Sequence, residues 1–215
     1  MASFKTERER MVANQIAGRG IVDERILRAM RRVPRHLFLP EAARHRAYQD
    51  SPVAIGDGQT ISQPYIVALM TSLLDVEVGH KVLDVGTGSG YQAAVLAELE
   101  AEVHSIERHP RLAKQAEARL HSLGYDAVQV HVGDGTQGLE AFGPYDGIIV
   151  AAAAPSVPEP LLNQLAEGGR LVIPVGSRFA QTLEVWKNAG GEFQREAQGG
   201  VVFVPLVGKH GWENA

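Results

Sequence analysis

The chain has 215 residues, 45% of them hydrophobic, which suffices for one sizeable α/β domain and is too little for two full domains and a linker. Acidic residues outnumber basic ones, 25 against 21, and the basic residues form no long block, so electrostatic affinity for nucleic acid is not expected. The lack of cysteine excludes disulfides, thiolate metal sites and cysteine nucleophiles; the start, MASFKTERER, is too charged for a secretory h-region, and the longest apolar run, Ile148 to Ala154, is far below the ~20 residues that span a bilayer. A cytoplasmic protein without a membrane partner is expected.

Residues 5 to 17 and 23 to 32 read as two short helices. Asp23 is the N-cap of the second, Ile26, Leu27 and Met30 share one of its faces, and Pro34 ends it. Helices without strands of their own bury little, so residues 1–46 are expected to form an annex packed on the later domain or over its ligand mouth, anchored by Leu37, Phe38 and Leu39. Residues 47–64, AYQDSPVAIGDGQTISQP, read as a loop with a turn at Gly56, Asp57 and Gly58, before a helix from Tyr65 to Leu74 that is apolar at Ile66, Leu69, Met70 and Leu73. Its hydroxyls, Thr60 and Ser62, have two readings: one of them caps the helix that follows Pro64, or they face a ligand.

The organising stretch is Lys81 to Tyr91, KVLDVGTGSGY. An apolar run (Val82, Leu83, Val85) leads into Gly86, Gly88 and Gly90 and then into helical sequence, the order of a parallel strand, a tight turn and a helix N-terminus. Such a turn seats a ligand, because glycine permits positive φ and close approach, while the first helical N–H groups offer donors. Tyr91 stands where a dinucleotide fingerprint needs a small residue, which disfavours a pyrophosphate. Glu107 closes a second apolar strand about twenty residues on, where a ribose-binding carboxylate is expected. GTGSG after Asp84 with an acidic strand end resembles the S-adenosylmethionine seat of class I methyltransferases; a nicotinamide site and a purely structural turn are the alternatives.

From Lys81 onward, strands at 82–85, 103–106, 128–132, 147–150 and 170–174 alternate with helices near 91–99, 110–122 and 158–166. This is the pattern of a mostly parallel sheet covered on both faces, a Rossmann-like α/β fold spanning residues 65–215. Gly133, Asp134 and Gly135 end the third strand, either as an adenine contact at the sheet's carboxyl edge or as an ordinary Asp-Gly turn. Thr182 to Lys187 and Val201 to Val207 are expected to complete the sheet as an antiparallel pair, and Asn214 and Ala215 to fray.

Methyl transfer by in-line displacement asks for alignment and exclusion of water. Residues 151–155 read AAAAP where many amine-directed methyltransferases carry an Asn/Asp-Pro-Pro-Tyr tetrad, and the loop at 47–64 holds no histidine or lysine base. A carboxylate acceptor, ionised at neutral pH, needs no base and suits this loop better than an amine or a phenol. The histidines show no HExxH or close ligand pairing, so no metal is expected. His36, His45 and His109 read as surface or annex residues.

Six segments then carry a resemblance that spans nearly the whole chain: 23–40 (DERILRAMRRVPRHLFLP), 47–64, 82–94 (VLDVGTGSGYQAA), 106–108 (IER), 133–135 (GDG) and 203–206 (FVPL). Together they resemble the protein-L-isoaspartate (D-aspartate) O-methyltransferase family, with GQTISQP far more specific than the glycine turn. The resemblance implies methyl transfer from S-adenosylmethionine to the α-carboxylate of L-isoaspartyl residues in damaged proteins and peptides, with repair through a succinimide and S-adenosylhomocysteine as product. It implies Ser62 as the active-site residue, a donor to the acceptor carboxylate, with Ile55, Gln59, Thr60, Ile61 and Val204 on the substrate side. On the cofactor side it implies Asp84, Gly86, Thr87, Gly88, Ser89, Gly90, Glu107, Arg108, Asp134 and Gly135. Val202 stands where many relatives have arginine, so the resemblance carries over no side-chain contact to substrate there; backbone pairing of a peptide with Phe203 to Pro205 and a buried sheet strand are the two readings of that segment. A monomer without nucleic-acid partners is expected. Methyltransferases for small molecules or RNA, and a non-catalytic S-adenosylmethionine-binding module, are the rivals.

Overall fold

A computed structural model describes residues 3–214. The chain opens with α1 (Phe4–Arg10), capped by Ser3, which runs on through a π turn (Met11–Ile16) and a 3-10 turn to Gly20. In α2 (Glu24–Arg32) the Asp23 carboxylate accepts the Arg25 N–H, as expected of its cap, and Ile26, Leu27, Ala29 and Met30 are buried. Short 3-10 turns at Arg35–Phe38 and Glu41–Arg46 complete the annex.

Residues 47–64 hold more structure than a loop. β1 (Val53–Gly56) and β2 (Gln59–Ile61) pair antiparallel as a small sheet of their own. Strands this short, with a glycine at the tip, carry too few residues for a periodic signal, so only the turn is visible in the sequence. Helix α3 (Pro64–Leu74) follows, with proline in its first turn.

The main sheet has seven strands in the order β5-β4-β3-β6-β7-β8-β9. Its parallel part is β3 (Lys81–Val85), β4 (Glu102–Glu107), β5 (Gln129–Val132), β6 (Tyr145–Val150) and β7 (Leu165–Gly176). Helices α4 (Tyr91–Ala97), α5 (Pro110–Ser122) and α6 (Glu159–Asn163) lie among these strands in the chain. The strand order reverses between β3 and β6, and in such sheets the crevice at the carboxyl ends of the strands at that switch is where ligands bind.

Three expectations are corrected here. The helix near 158–166 ends at Asn163, because Leu165 already pairs with Tyr145 and so starts β7 earlier than 170. The antiparallel partner of β8 (Gln181–Ala189) is β9 (Glu192–Val201), not 201–207. β9 is an edge strand exposed along most of its length, so its polar sequence hides it. Residues 202–207, apolar throughout and valine-rich, leave the sheet instead: Pro205 bridges to Ala153, and Leu206 and Val207 are buried beside the carboxyl edge. Asn214 is held by Arg178, whose Nη2 donates to its carbonyl at 2.6 Å; the expectation for Ala215 lies outside the described residues.

Two buried clusters fill the protein. One joins the annex to the main domain through Met11, Ile16, Met30 and Phe38 against Met70, Leu74, Tyr91 and Val95. The other includes Leu83, Val85, Ile106, Ile148, Leu161 and Leu171. Tyr91 is central to the annex contact: its ring meets Phe38 edge-on at 5.5 Å and lies under the guanidinium of Arg35 at 4.8 Å. Arg35 is wholly buried, donates from Nε to the Ala47 carbonyl at 2.8 Å, and burial pulls its pKa down to about 10. Tyr91 therefore occupies the place of the small third residue of a dinucleotide motif because it docks the annex.

Candidate active site

A cavity of about 300 Å³ opens at the switch point, between the carboxyl ends of β3 and β4, the β1–β2 hairpin and residues 204–207. The glycine turn forms one side. Gly86, Gly88 and Gly90 have φ of 96°, 51° and 89°, the left-handed region that side chains avoid. The turn is pinned by its neighbour strand, since Gly86 and Thr87 donate to the Ile106 carbonyl at 2.9 and 3.3 Å.

Glu107 pins it further. Its Oε2 accepts the Gly88 N–H at 2.9 Å and its Oε1 accepts the His109 N–H at 3.0 Å, while each oxygen keeps capacity for a second donor. Behind the turn, Ser105 Oγ donates to Asp84 Oδ2 at 2.7 Å and stands 2.6 Å from Thr87 Oγ1, so Thr87 donates in turn to Ser105. Asp84 is fully buried and its Oδ1 has no partner among the described residues. Burial pushes its pKa up to about 7; the Ser105 hydroxyl works against that shift and the Glu107 charge adds to it.

The hairpin supplies the opposite side, with Gln59, Thr60, Ile61 and Ser62 lining the cavity. The capping reading of Ser62 and Thr60 is overturned. α3 has no side-chain cap at Gln63, and its Tyr65 N–H is taken by Asp50 Oδ1 at 3.2 Å. The Ser62 hydroxyl is thus left for the cavity. Ile55 comes from outside the lining, its Cδ1 3.4 Å from where a Cβ on Gly88 would sit.

The expected site residues divide cleanly. Gly86, Thr87, Gly88, Ser89, Glu107, Arg108 and Gly135 line the cavity on the turn's side, and Val204 lines it near residues 151 and 152. Asp84, Gly90, Ile55 and Asp134 do not. Gly90 is the N-cap of α4, packed toward Leu120. The Asp134 carboxylate faces the chain itself, accepting from the Thr136 N–H and hydroxyl at 2.9 and 2.7 Å and from the Lys209 N–H at 2.8 Å. Burial raises its pKa, but the Lys209 and Thr136 donors outweigh that and hold it below the usual carboxylate value. It ties residues 208–210 under the carboxyl edge, while Gly135 faces the cavity; a Cβ at Gly135 would lie 2.6 Å from Val85 Cγ1.

Residues 202–204 form no sheet strand, so the buried-strand reading of 203–205 falls. The Val204 carbonyl accepts the Ala153 N–H at 2.8 Å, and the Phe203 N–H goes to Gln181 Oε1 at 2.9 Å. Sequence reasoning misses Asp50, Asp57, Met70, Ala151 and Leu206 at or beside the site; Asp50 and Asp57 stand in the loop already singled out, without a local sign of their roles. Histidines 104 and 131 do approach each other, Nδ1 to Nε2 at 3.2 Å, on β4 and β5 and outside the cavity lining. Among the described residues no group of three or more His, Asp or Glu side chains is arranged to hold a metal.

Comparison with known proteins supplies a family. The sequence model of the protein-L-isoaspartate(D-aspartate) O-methyltransferases matches residues 6–211. A protein-L-isoaspartate O-methyltransferase of Syntrophobacter fumaroxidans is 55% identical over 213 residues, 99% of this chain and 100% of the relative. One from Methanoculleus marisnigri is 53% identical, covering 97% and 95% of the two chains. A solved protein-L-isoaspartate O-methyltransferase superposes with a TM-score of 0.85 at 30% identity, over 95% of this chain and 67% of that one. A Plasmodium falciparum structure described as the same enzyme, in complex with S-adenosyl-L-homocysteine, gives 0.82 at 28% identity over 93% and 98%.

Proposed function

The chain belongs to the protein-L-isoaspartate(D-aspartate) O-methyltransferase family, and from that premise we propose how its residues divide the reaction. The enzyme uses S-adenosylmethionine to methylate the free α-carboxylate of L-isoaspartyl residues in damaged proteins, the step that opens their repair. Bound S-adenosylmethionine supplies the chemistry, a methyl carbon on a positively charged sulfur open to in-line displacement. The chain has only to bind, orient and keep water out, since an α-carboxylate with a pKa near ~4 is already ionised at neutral pH.

The donor side fits this cofactor on two observations: a turn of three left-handed glycines that leaves backbone in place of side chains, and a Glu107 carboxylate with acceptor capacity to spare for ribose hydroxyls. Gly86, Thr87, Gly88 and Ser89 would take the methionine end, and Arg108 and Gly135 the adenine side. Asp84 works from behind through Ser105 and Thr87, Gly90 by setting the start of α4, and Asp134 by bracing the wall that carries Gly135. On the acceptor side Ser62 donates its hydroxyl to the substrate carboxylate. Gln59, Thr60, Ile61 and Val204 shape the surrounding wall, and Ile55 closes the hairpin onto the turn.

One observation carries the assignment: a hydroxyl without a partner among the described residues, Ser62, lines the same cavity as the glycine turn. No covalent serine intermediate is needed, because the acceptor is the nucleophile. The methyl ester, once released, closes by attack of the following backbone nitrogen on the ester carbonyl, expelling methanol and leaving a succinimide that reopens partly to aspartate. We further read the protein as a cytoplasmic monomer with no nucleic-acid or membrane partner. A net charge of -4 supports the lack of a nucleic-acid partner, and no helix among the described residues is long and apolar enough to cross a membrane.

Tritiated methyl transfer to matched isoaspartyl and aspartyl peptides tests the reading. Base-labile label on the isoaspartyl peptide alone is the expected result; equal labelling of both peptides, or of neither, would refute it.

A further inference from the structure

The tip of the β1–β2 hairpin carries an ion pair that the reaction as described leaves unused. Gly56, Asp57 and Gly58 have φ of 107°, 51° and 71°, so three successive residues are left-handed and one of them is not glycine. Aspartate and asparagine tolerate that conformation better than other side chains, but it is still a strained one that folds keep where something depends on it. Here it turns the Asp57 carboxylate toward the first turn of α5. Arg111 meets it with a two-pronged contact, Nε to Oδ2 at 3.1 Å and Nη2 to Oδ1 at 2.5 Å.

The two partners belong to parts of the fold with no strand pairing between them. The hairpin is a separate two-stranded sheet, whereas Arg111 follows directly on Glu107 to Pro110 at the end of β4. Asp57 and Gly58 line the cavity together with Glu107 and Arg108, and Arg111, three residues beyond Arg108, holds Asp57 from outside the lining, so the pair lies at the cavity's edge on the Glu107 side. Among the charged neighbours, His109 also faces Asp57, and the Arg111 hydrogen bonds hold the Asp57 carboxyl below its usual pKa.

We propose that Asp57 and Arg111 form a clasp that holds the hairpin shut over the ribose side of the cofactor seat and so slows the exchange of S-adenosylmethionine and its demethylated product. Both are positioning residues: neither touches the reacting atoms. Arg111 acts through Asp57, and Asp57 through the hairpin that carries Gln59 to Ile61. The inference rests on the reading of the glycine turn as that seat. It gives the hairpin two tasks, presenting Ser62 at its base and timing cofactor release at its tip.

The Arg111 side chain is 64% exposed and that of Asp57 27%, so the effect is modest and screened by salt. The test uses the full-length enzyme loaded with tritiated S-adenosylhomocysteine and diluted into excess unlabelled ligand, with no peptide present. Asp57→Asn, which keeps size and tolerance of positive φ, and Arg111→Gln should each speed release about threefold at low salt. The double variant should be no faster than the faster single one. The gap to wild type should close near ~1 M salt, where the screening length is about 3 Å. Thermal unfolding midpoints of the free proteins should stay level, which separates a clasp from a general loss of structure. Release at the wild-type rate in both single variants, effects that multiply in the double, or acceleration that persists at high salt would each overturn the clasp. Failure of wild type to hold the ligand at all would instead overturn the cofactor seat, and failure to methylate isoaspartyl peptide with release behaving as expected would overturn the proposed substrate alone.

Discussion

The two sides of the cavity are built on different principles. The donor side is part of the main sheet: β3 is buried along nearly its whole length, the turn after it is fixed by backbone hydrogen bonds to Ile106, and Glu107 holds it from the next strand. The acceptor side is a short hairpin outside that sheet, mostly exposed, whose position relies on Asp50 at its base, Asp57 at its tip and the contact of Ile55 with the turn. A rigid seat suits a cofactor that is the same in every turnover. A detachable wall suits substrates that arrive as different proteins, with only the damaged residue in common.

The sharpest way to break this contrast is Glu107→Ala. It removes the acceptor for two backbone N–H groups as well as the proposed ribose contact, and hydrogen bonds to a charged partner contribute about 1.5–3 kcal/mol each. We expect S-adenosylmethionine affinity to fall on the order of 100-fold by calorimetry, with the fold intact by circular dichroism. Affinity equal to wild type would remove Glu107 from the seat.

Asp84→Asn probes the rigid side through pH. The folded pKa of about 7 lies above the ordinary 3.8, so between those two values the free protein holds a proton that the unfolded chain has lost. Stability from this group is therefore complete below pH ~4 and is lost as pH rises through about 7. The stability difference between the D84N variant and the wild-type protein should widen in favour of the variant by about 2–3 kcal/mol between pH 5 and pH 8, read from urea unfolding without ligand. A difference independent of pH would show that Asp84 is ionised throughout.

Asp50→Ala probes the weaker side. Loss of its contacts with the Tyr65 N–H, the helix-start partner seen for α3 among the described residues, and with the Arg19 guanidinium should together cost about 1–2 kcal/mol. Turnover on isoaspartyl peptide should drop about threefold as Ser62 loses its placement, with S-adenosylhomocysteine affinity within twofold of wild type, about 0.4 kcal/mol. An equal loss of both would mean that the two sides are not independent.

The same contrast governs what can be read in advance. The donor side is legible because buried parallel strands are continuous apolar runs and a left-handed turn calls for glycine: Val82 to Val85, Val103 to Ile106 and the GTGSG turn all lie where expected. Less is legible elsewhere, for physical reasons. β9 pairs through its backbone while most of its side chains face water, Phe193 and Val201 alone being half-buried, so no hydrophobic pattern marks it. Residues 202–207 look like a strand because they are apolar, yet Leu206 and Val207 bury against the site and not within the sheet. Asp50, Asp57 and Asp134 find partners 15, 54 and 75 residues away, which no local spacing can announce. Ser62 enters through the resemblance of GQTISQP, since its residue type alone fits a helix cap equally well.

Ser62→Ala is the most direct test that donor and acceptor are held by separate structures. S-adenosylhomocysteine affinity by calorimetry and kcat/KM on an isoaspartyl peptide should be measured on the same preparation. The account predicts affinity within twofold of wild type and kcat/KM reduced about tenfold, the loss of one hydrogen bond to a charged carboxylate. Unchanged kcat/KM, or a parallel fall in cofactor affinity, would contradict it.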